Sequence, residues 1–456
     1  MRYLGQMKIY PSNELPADSS VSIGFECVDR DMIKPEKCYN PLAAAGIKYA
    51  RCQTGWAKCE KEIGVYQFGW LDDMVDALID RGVIPWFNVG YGNPAYMPNT
   101  PNPTGVGCMP LLYDEYVIEG WKNYVLALAR HFKGRVTHWE IWNEPDIIHF
   151  WYPGEPDAAA LAELVKMTGG LIRSVIPDAK IGVSTAGSQP KYVSVLFENL
   201  TPADLDFYCY HTYNQYPEEI VENGFYTDVF ELAKKNGLDH LEFWQGECGH
   251  ASWHPVRHGC YQRDHFGEGS EHRQAVWQLR RFLLDYNIGL TRTSQFQIAD
   301  MREKPYQMTT SWVQNDPACQ GILHGLFYTP KKAHDTISRL SVILSGKRER
   351  MDAQFELNAP KSEYTPYTMS YLREGHELNL YWLAIPLNLE AGIQKNAASV
   401  KLLSDRIQNP MIINLFTGLA LEPEACEWDP ETRTITGLPI GEYPILICDR
   451  GALAVD

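Results

Sequence analysis

Short apolar runs rich in β-branched and aromatic residues alternate with longer amphipathic stretches from Val21 to about Gln297. Strands of a parallel sheet are buried on both faces and read as such runs, and a helix separates each strand from the next. Eight such units over roughly 320 residues predict a (β/α)8 TIM barrel. The predicted strands are Val21–Glu26, Ile47–Arg51, Val83–Val89, Val136–Trp142, Lys180–Ser184, Asp206–Tyr210, Leu241–Gln245 and Thr291–Gln297.

The stretches between the strands carry apolar residues at helical spacing. In Phe68–Arg81, for example, Leu71, Met74 and Leu78 fall on one face, and Gly82 ends the helix. This spacing predicts further helices over Tyr113–Phe132, Ala158–Val175, Ser270–Asn287 and Pro330–Leu344.

The pattern changes after Gly346, where strand-like segments are separated by turns and no long helix is indicated. This predicts an additional C-terminal antiparallel β-sandwich domain. We expect a barrel over residues 17–346, a β-sandwich over 347–456, and an N-terminal strand within 1–16, near Met7–Tyr10, that pairs with the sandwich. The predicted C-terminal strands are Tyr367–Arg373, Leu378–Ile385, Met411–Phe416 and Tyr443–Cys448.

Composition and charge narrow the class of protein. With 45% hydrophobic and 21% charged residues, the 456-residue chain is typical of globular proteins. A net charge of −16 disfavours nucleic acid and anionic membrane surfaces as partners. No run approaches the length of a membrane-spanning helix, and no secretory signal is visible. The 11 cysteines are scattered and show no disulfide pattern. Together with the lack of a visible signal, they favour a cytoplasmic protein with reduced thiols, unless a signal was trimmed.

Two strand ends carry a carboxylate where barrel enzymes place their catalytic residues. The fourth strand runs into Glu144 and the seventh into Glu247. Opposite strands of a barrel face each other across its mouth, and cleavage of a glycosidic bond needs two such carboxyl groups. A single Glu at a strand end is usually a solvated or salt-bridged loop residue. Two of them in these contexts predict a glycosidase.

The segment Trp139–Asp146, WEIWNEPD, resembles the acid/base motif of clan A glycoside hydrolases, closest to glycoside hydrolase family 39. That family includes β-xylosidases and α-L-iduronidases. The resemblance covers the barrel and the trailing β domain. Supporting stretches are Tyr66–Trp70, Gly82–Trp86, Gly321–Leu323 and Pro330–Ala333.

The resemblance implies roles for individual residues. Glu144 would be the general acid/base and Glu247 the nucleophile, and Asn143 would bind the sugar 2-hydroxyl. His211 and Tyr213 match the family's His-x-Tyr and would line the glycone subsite.

Arg51 matches a position that pairs with the nucleophile, although it is equally read as a rim ion pair. Trp142 is interpreted as a packing residue behind the catalytic motif. The eighth strand lacks the Trp that many clan A enzymes carry at its end, so Trp253 or Trp312 could shape the pocket instead.

A cluster of His and Cys after the seventh strand suggests a metal site, but it lacks paired ligand spacing. We therefore expect no metal and no cofactor. The cluster comprises Cys248, His250, His254, His258, Cys260 and His265.

The leading hypothesis is a retaining exo-glycosidase acting on β-linked small oligosaccharides or glycosides, with β-D-xylosidase as the first guess. Another glycone (β-glucoside, β-galactoside or arabinoside) on the same machinery is the alternative. A non-catalytic carbohydrate-binding barrel and a metal-dependent barrel enzyme are further classes. The resemblance allows a homo-oligomer without requiring one.

Overall fold

Eight parallel strands close into a barrel in the computed structural model, which describes residues 1–186, 189–252, 269–301, 319–387 and 395–456. Each strand pairs in parallel with the next, and the last pairs with the first. Every one overlaps its predicted counterpart. The barrel strands are β2 (Val21–Gly24), β3 (Tyr49–Gln53), β4 (Ile84–Val89), β5 (His138–Ile141), β6 (Lys180–Thr185), β7 (Phe207–His211), β8 (Glu242–Cys248) and β9 (Arg292–Gln295).

The five predicted helices are present, with ends that differ from the predictions by at most two residues. Asp114, Asp157 and Ser270 each accept a backbone N–H at the start of a long helix, which satisfies donors that the helix leaves unpaired. No helix in the described ranges is long and apolar enough to cross a membrane. The helices are α1 (Tyr39–Ala44), α2 (Trp56–Cys59), α3 (Gly69–Ile79), α4 (Glu115–Phe132), α5 (Ala158–Val175), α6 (Pro190–Glu198), α7 (Glu219–Glu222), α8 (Phe225–Lys235), α9 (Glu271–Ile288) and α10 (Lys332–Ile343).

Two antiparallel sheets follow the barrel and pack on a shared apolar core that includes Tyr381, Val400 and Ile435. One sheet has the strand order β1-β16-β15-β19-β13-β12-β10 and the other β11-β14-β18-β17. The predicted fold class, a TIM barrel with a β-sandwich, is confirmed. The strands are β1 (Arg2–Gln6), β10 (Arg348–Met351), β11 (Phe355–Asn358), β12 (Pro366–Arg373), β13 (His376–Leu383), β14 (Lys395–Leu402), β15 (Pro410–Asn414), β16 (Leu419–Glu422), β17 (Trp428–Asp429), β18 (Thr434–Ile440) and β19 (Ile445–Asp449).

The N-terminal strand joins the C-terminal sheet. Strand β1 pairs antiparallel with β16, so the regular strand lies upstream of the predicted Met7–Tyr10. Within that predicted segment, Met7 forms an isolated bridge with Val455. The domain boundaries at residues 16 and 346 stay predictions.

A cluster of aromatic rings fills the inside of the barrel. Phe207 stacks on Trp244 with ring centroids 4.0 Å apart, and Trp86 meets Trp244 edge-on at 5.3 Å. The guanidinium of Arg51 lies 5.6 Å from the centre of the Trp86 ring. The rings therefore form the floor beneath the charged groups at the mouth, where packing excludes water.

A buried ion pair of the barrel forms hydrogen bonds with the sandwich. Arg280 on α9 forms two contacts with the carboxylate of Glu218, at 2.7 and 2.6 Å, and donates to the backbone oxygen of Ile385. The indole N–H of Trp382, on β13 of the sandwich, donates to the same carboxylate at 3.1 Å. Removing either charged partner would leave the other one buried without compensation.

We expect Glu218→Ala to lower the free energy of unfolding by about 3 kcal/mol, because it leaves the buried guanidinium of Arg280 without a negative partner. Urea unfolding followed by circular dichroism measures the loss. Glu231→Ala, at an exposed position of α8, is the matched control and should change stability by less than about 0.5 kcal/mol. Equal stabilities of the two variants would contradict the structural role of the pair.

Candidate active site

The backbone after β5 takes an unusual course that directs two polar side chains toward the barrel mouth. Trp142 and Glu144 both have left-handed backbone angles, with φ of 68° and 48°. Such angles cost energy for residues other than glycine and persist where surrounding contacts hold them. Here the side chain of Asn88 donates to the Trp142 backbone oxygen at 2.5 Å. Asn143, between the two left-handed residues, is buried beside Glu144.

Trp142 is fully buried, as expected for a packing residue. Its ring lies edge-on to Tyr91, and its indole N–H donates to the backbone oxygen of Phe150 at 2.8 Å. The side chain therefore anchors the loop that follows Glu144.

On the opposite side of the mouth, a bulge in β8 places Glu247. The pairing of β7 with β8 shifts register after Tyr210, so that His211 lies opposite Glu247 and Gly246 is the extra residue. A Cβ atom at Gly246 would lie 2.7 Å from Nε2 of His211 and 2.9 Å from the Cβ of Cys209. Only glycine fits there, which explains the glycine before Glu247.

The two predicted catalytic carboxyl groups meet across this mouth. Nδ1 of His211 lies 2.9 Å from Oε1 of Glu144 and 3.6 Å from Oε2 of Glu247. One ligand atom from each of these three residues lies within 4.8 Å of the other two. The two carboxyl groups are therefore close together at the barrel mouth, although the two residues are far apart in the sequence.

Arg51 contacts four side chains from three other strand ends. Its Nη1 donates to Glu247 at 3.1 Å and to Glu26 at 2.8 Å. Nε and Nη2 form a bidentate pair with Glu140 at 2.8 and 2.6 Å, and Nη2 also donates to Oδ1 of Asn143 at 2.7 Å. The guanidinium thus fixes the orientation of all four polar groups.

The surroundings shift the pKa values of the site. Burial raises the pKa of Glu144 to about 8, with a further contribution from the charge of Asp146. Burial, followed by the charge of Glu144, also raises the pKa of Glu247, while Arg51 and Tyr213 oppose this. Burial lowers the pKa of His211 to about 4, so the imidazole is neutral at pH 7.

Two aromatic side chains in contact with each other lie near Glu247, and one of them bonds to it. The hydroxyl of Tyr213 donates to Oε1 of Glu247. The Tyr213 ring meets Phe296 edge-on, with centroids 6.4 Å apart, and Phe296 is only partly buried. Phe296 follows β9, near the end of the predicted eighth strand, where no Trp is present. The other two candidate aromatic residues, Trp253 and Trp312, lie outside the described residues.

Six of the eight predicted site residues are thus brought together: Glu144, Glu247, Asn143, His211, Tyr213 and Arg51. The sequence analysis missed Glu140, Glu26 and Phe296. Glu140 gave a usable signal, because a charged residue inside an apolar strand needs a buried partner.

The described part of the His/Cys cluster does not converge on one point. The Cys248 thiol is near the Ser294 backbone oxygen, and Nδ1 of His250 is 3.0 Å from the Ala251 oxygen. His254, His258, Cys260 and His265 lie outside the described residues. Within the described ranges, the group with metal-like spacing is that of Glu144, His211 and Glu247.

The sequence was compared with protein families and with known proteins. The family model of glycosyl hydrolases family 39 matches residues 36–232. The predicted resemblance to family 39 is confirmed. A β-xylosidase of Geobacillus stearothermophilus is 23% identical over 130 residues, which span 26% of this chain and 24% of that protein. The chain thus aligns with only about a quarter of the length of this relative.

Solved structures extend the likeness to the whole chain. A family 39 glycoside hydrolase from Bacteroides cellulosilyticus WH2 superposes with a TM-score of 0.64 at 16% identity, over 97% of this chain and 82% of that one. A family 39 β-xylosidase from Caulobacter crescentus gives 0.59 at 15% identity, over 98% and 97%. At these identities the likeness shows a shared fold, an eight-stranded barrel with an antiparallel β domain.

We expect Glu144→Gln to gain stability relative to the wild type as pH rises. A carboxyl group whose pKa is raised on folding stabilises the folded state fully only below its unfolded pKa. The wild type loses this contribution as pH rises to about 8. The variant loses nothing over this range, because Gln does not titrate. Between about pH 5.5 and about pH 8.5 the difference in unfolding free energy should move toward the variant by on the order of 3 kcal/mol.

Urea unfolding of both proteins at the two pH values measures this difference. The Glu231→Gln variant, changed at an exposed carboxylate, corrects for the general effect of pH. A constant difference between Glu144→Gln and the wild type would show that the Glu144 pKa is not raised.

Proposed function

We propose that the protein is a retaining exo-glycosidase that hydrolyses β-linked glycosides, with β-D-xylosides as the first substrates to test. The observation that carries this proposal is the pair of carboxyl groups, with one oxygen of each within 4.8 Å of the other. Among the described residues, Glu247 contacts the Arg51 cation and Glu144 contacts no Lys or Arg. Retaining enzymes hold their two carboxyl groups about 5–5.5 Å apart, and inverting enzymes about 6.5–9.5 Å apart.

The two carboxyl groups differ in the way that double displacement needs. Glu144, with a pKa of about 8, holds a proton at neutral pH and can donate it to the departing oxygen. Glu247 accepts from Arg51 and Tyr213, contacts that favour its ionised form and aim it at the anomeric carbon. Once the aglycone leaves, Glu144 is the base that activates water, which releases the sugar from Glu247.

The neighbouring residues support binding of the sugar. Because Oδ1 of Asn143 accepts from Arg51, the amide N–H groups of Asn143 face away from that bond and can donate to the 2-hydroxyl. His211, held against Glu144 by Nδ1, lies between the carboxyl groups and lines the glycone site with Tyr213.

The choice of sugar rests on the relatives. Proteins named as β-xylosidases from Geobacillus and Caulobacter resemble this chain. A β-glucosidase, β-galactosidase or arabinosidase activity on the same carboxyl pair is the second candidate. We place the protein in the cytoplasm, where it would act on short imported glycosides. The same function is open to a monomer or a homo-oligomer.

Substitution of the two carboxyl groups should have different effects on different aglycones. Glu247→Gln should abolish hydrolysis of every glycoside, because the covalent intermediate cannot form. Glu144→Gln should lower kcat/KM by about 10²- to 10⁴-fold for an alkyl glycoside, whose leaving group needs a proton. For a dinitrophenyl glycoside, which leaves without protonation, kcat/KM should stay close to the wild-type value.

Steady-state kinetics on a panel of nitrophenyl, dinitrophenyl and methyl glycosides measure these effects. Glu231→Gln is the control and should behave as the wild type. If both site variants retain wild-type rates, the carboxyl pair is not catalytic. A wild-type protein that binds sugars but hydrolyses none of the panel would favour a non-catalytic carbohydrate-binding barrel, and activity lost on chelation would favour a metal-dependent enzyme.

Hydrolysis should proceed with retention at the anomeric carbon, because the short carboxyl separation leaves no room for a water opposite the leaving group. Proton NMR of the first sugar released, before mutarotation, identifies its anomer. Release of the β-anomer from a β-glycoside is the expected result, and release of the α-anomer would show inversion.

A further inference from the structure

A second buried arginine lies behind the ends of β7 and β8. Arg281, on α9, is completely buried and forms an ion pair with Asp285, one oxygen of which lies 2.8 Å from Nε. Nη1 donates to the side-chain oxygen of Asn214 at 3.1 Å. Nη2 donates to the hydroxyl of Thr212 at 2.5 Å and to Oε1 of Gln245 at 2.9 Å. Every nitrogen of this guanidinium therefore has a partner, and two of the partners lie at the ends of neighbouring barrel strands.

The side chain of Gln245 connects this arginine to the backbone of the candidate nucleophile. Its Oε1 accepts from the hydroxyls of Thr212 at 3.1 Å and Tyr226 at 2.6 Å, in addition to Arg281. Three donors on the oxygen fix which way the amide points, because its nitrogen must then face the other side. That nitrogen donates to the backbone oxygen of Glu247 at 2.5 Å.

The bond from Gln245 lies where the sheet supports β8 least. The register of β8 shifts against β7 after Tyr210 and against β9 after Gln245. In the pairing with β9, Gln245 and Cys248 have partner residues, whereas Gly246 and Glu247 between them have none. A bulge leaves such residues out of the ladder of backbone hydrogen bonds. The Gln245 side chain spans the bulge and holds the backbone of Glu247 in place of the missing strand pairing.

The other part of the network holds the segment that contacts both catalytic carboxyl groups. His211 and Tyr213, on either side of Thr212 in the chain, bond to Glu144 and Glu247 respectively. The Thr212 hydroxyl accepts from Nη2 of the arginine on α9 and donates to the amide oxygen in β8. One nitrogen therefore sets the position of β8 relative to the segment after β7.

Asp285 extends the network to a third strand. Its second oxygen accepts from the hydroxyl of Thr293, on β9, at 3.0 Å. Both members of the pair with Arg281 have no exposed side-chain surface. Replacing a buried ion pair by apolar residues is often neutral or stabilising, so this pair is weak evidence for a gain in stability. A planar guanidinium does fix the direction of each bond that it makes, which suits a group that sets geometry.

We propose that Arg281 and Gln245 are positioning residues that hold Glu247 at the place from which it attacks the anomeric carbon. The inference rests on the proposed glycosidase function and adds residues on which its first step depends. In that step the Glu247 carboxylate forms a bond to the anomeric carbon, while the bond to the aglycone oxygen breaks and the aglycone takes the electron pair. A misplacement of the reacting group by about 1 Å can slow such a step by about 100-fold.

The test measures the attack by Glu247 separately from binding and from folding. The variants are Gln245→Met and Thr212→Val, which keep the shape of each side chain and remove its polar atoms. The matched controls are Gln278→Met and Thr336→Val, which remove another buried bond between a glutamine and a threonine, 2.7 Å long, that joins α9 to α10.

The probe is the dinitrophenyl 2-deoxy-2-fluoro-β-glycoside of the sugar that the wild-type protein hydrolyses fastest. Its aglycone leaves without a proton, and the fluorine slows the release of the sugar from the nucleophile, so the labelled protein accumulates. Mass spectrometry over time and over probe concentration gives the rate constant of labelling, the binding constant of the probe and the final labelled fraction. Urea unfolding gives the stability of each variant.

Gln245→Met and Thr212→Val should each lower the rate constant of labelling by roughly 10- to 100-fold. The binding constant should change by less than about 3-fold, since the variants disturb attack and not the contacts with the sugar. All of the protein should become labelled in the end. The double variant should lose less than the product of the two single losses, because both changes break the same network. The two control variants should label at the wild-type rate, even where they lose as much stability.

A wild-type rate constant with a smaller labelled fraction would overturn the inference, since the network would then serve folding alone. Equal slowing in the control variants would overturn it as well, because the effect would be general to α9. A wild-type protein that hydrolyses none of the parent glycosides is a different result, because it would contradict the proposed function itself.

Discussion

The guanidinium of Arg51 is the group on which the arrangement of the barrel mouth depends. It is completely buried and bonds to carboxyl groups that follow or belong to β2, β5 and β8. One positive charge among Glu26, Glu140 and Glu247 cannot compensate three negative charges in a medium of low polarity. Protons must make up the difference, and burial accordingly raises the pKa of Glu26 well above its usual range.

The position of this one cation distinguishes two chemically identical side chains. Arg51 contacts Glu247, while Glu144 has the neutral imidazole of His211 as its neighbour. Burial raises the pKa of both carboxyl groups, but only Glu247 accepts hydrogen bonds from Arg51 and Tyr213, and these favour its ionised form. The difference thus arises from β3, which supplies neither carboxyl group but carries the cation that contacts Glu247.

The strand ends were predictable from the sequence, because apolar runs show where a buried strand lies. Glu144, Glu247 and Arg51 were then identified as candidates because they lie at those ends. The partnership of Arg51 with Glu140 was not predictable, since 89 residues separate them and spacing carries no information on contacts across a barrel. The bulge at Gly246 was equally hidden. It appears only in the register of β7 against β8, and the neighbouring His211 ring then explains why a glycine is needed there.

The mouth concentrates features that destabilise a fold, and the barrel below it offsets them. Left-handed backbone at Trp142 and Glu144 raises the energy of the folded state, as do the atoms of Glu26 and Gln297 that have no partner among the described residues. Directly beneath lie the stacked rings of the barrel floor, a dry and rigid base. A rigid base lets carboxyl groups stay close together and partly protonated, where a flexible one would let them move apart into water. The strain is therefore consistent with selection for chemistry at this end of the barrel rather than for stability.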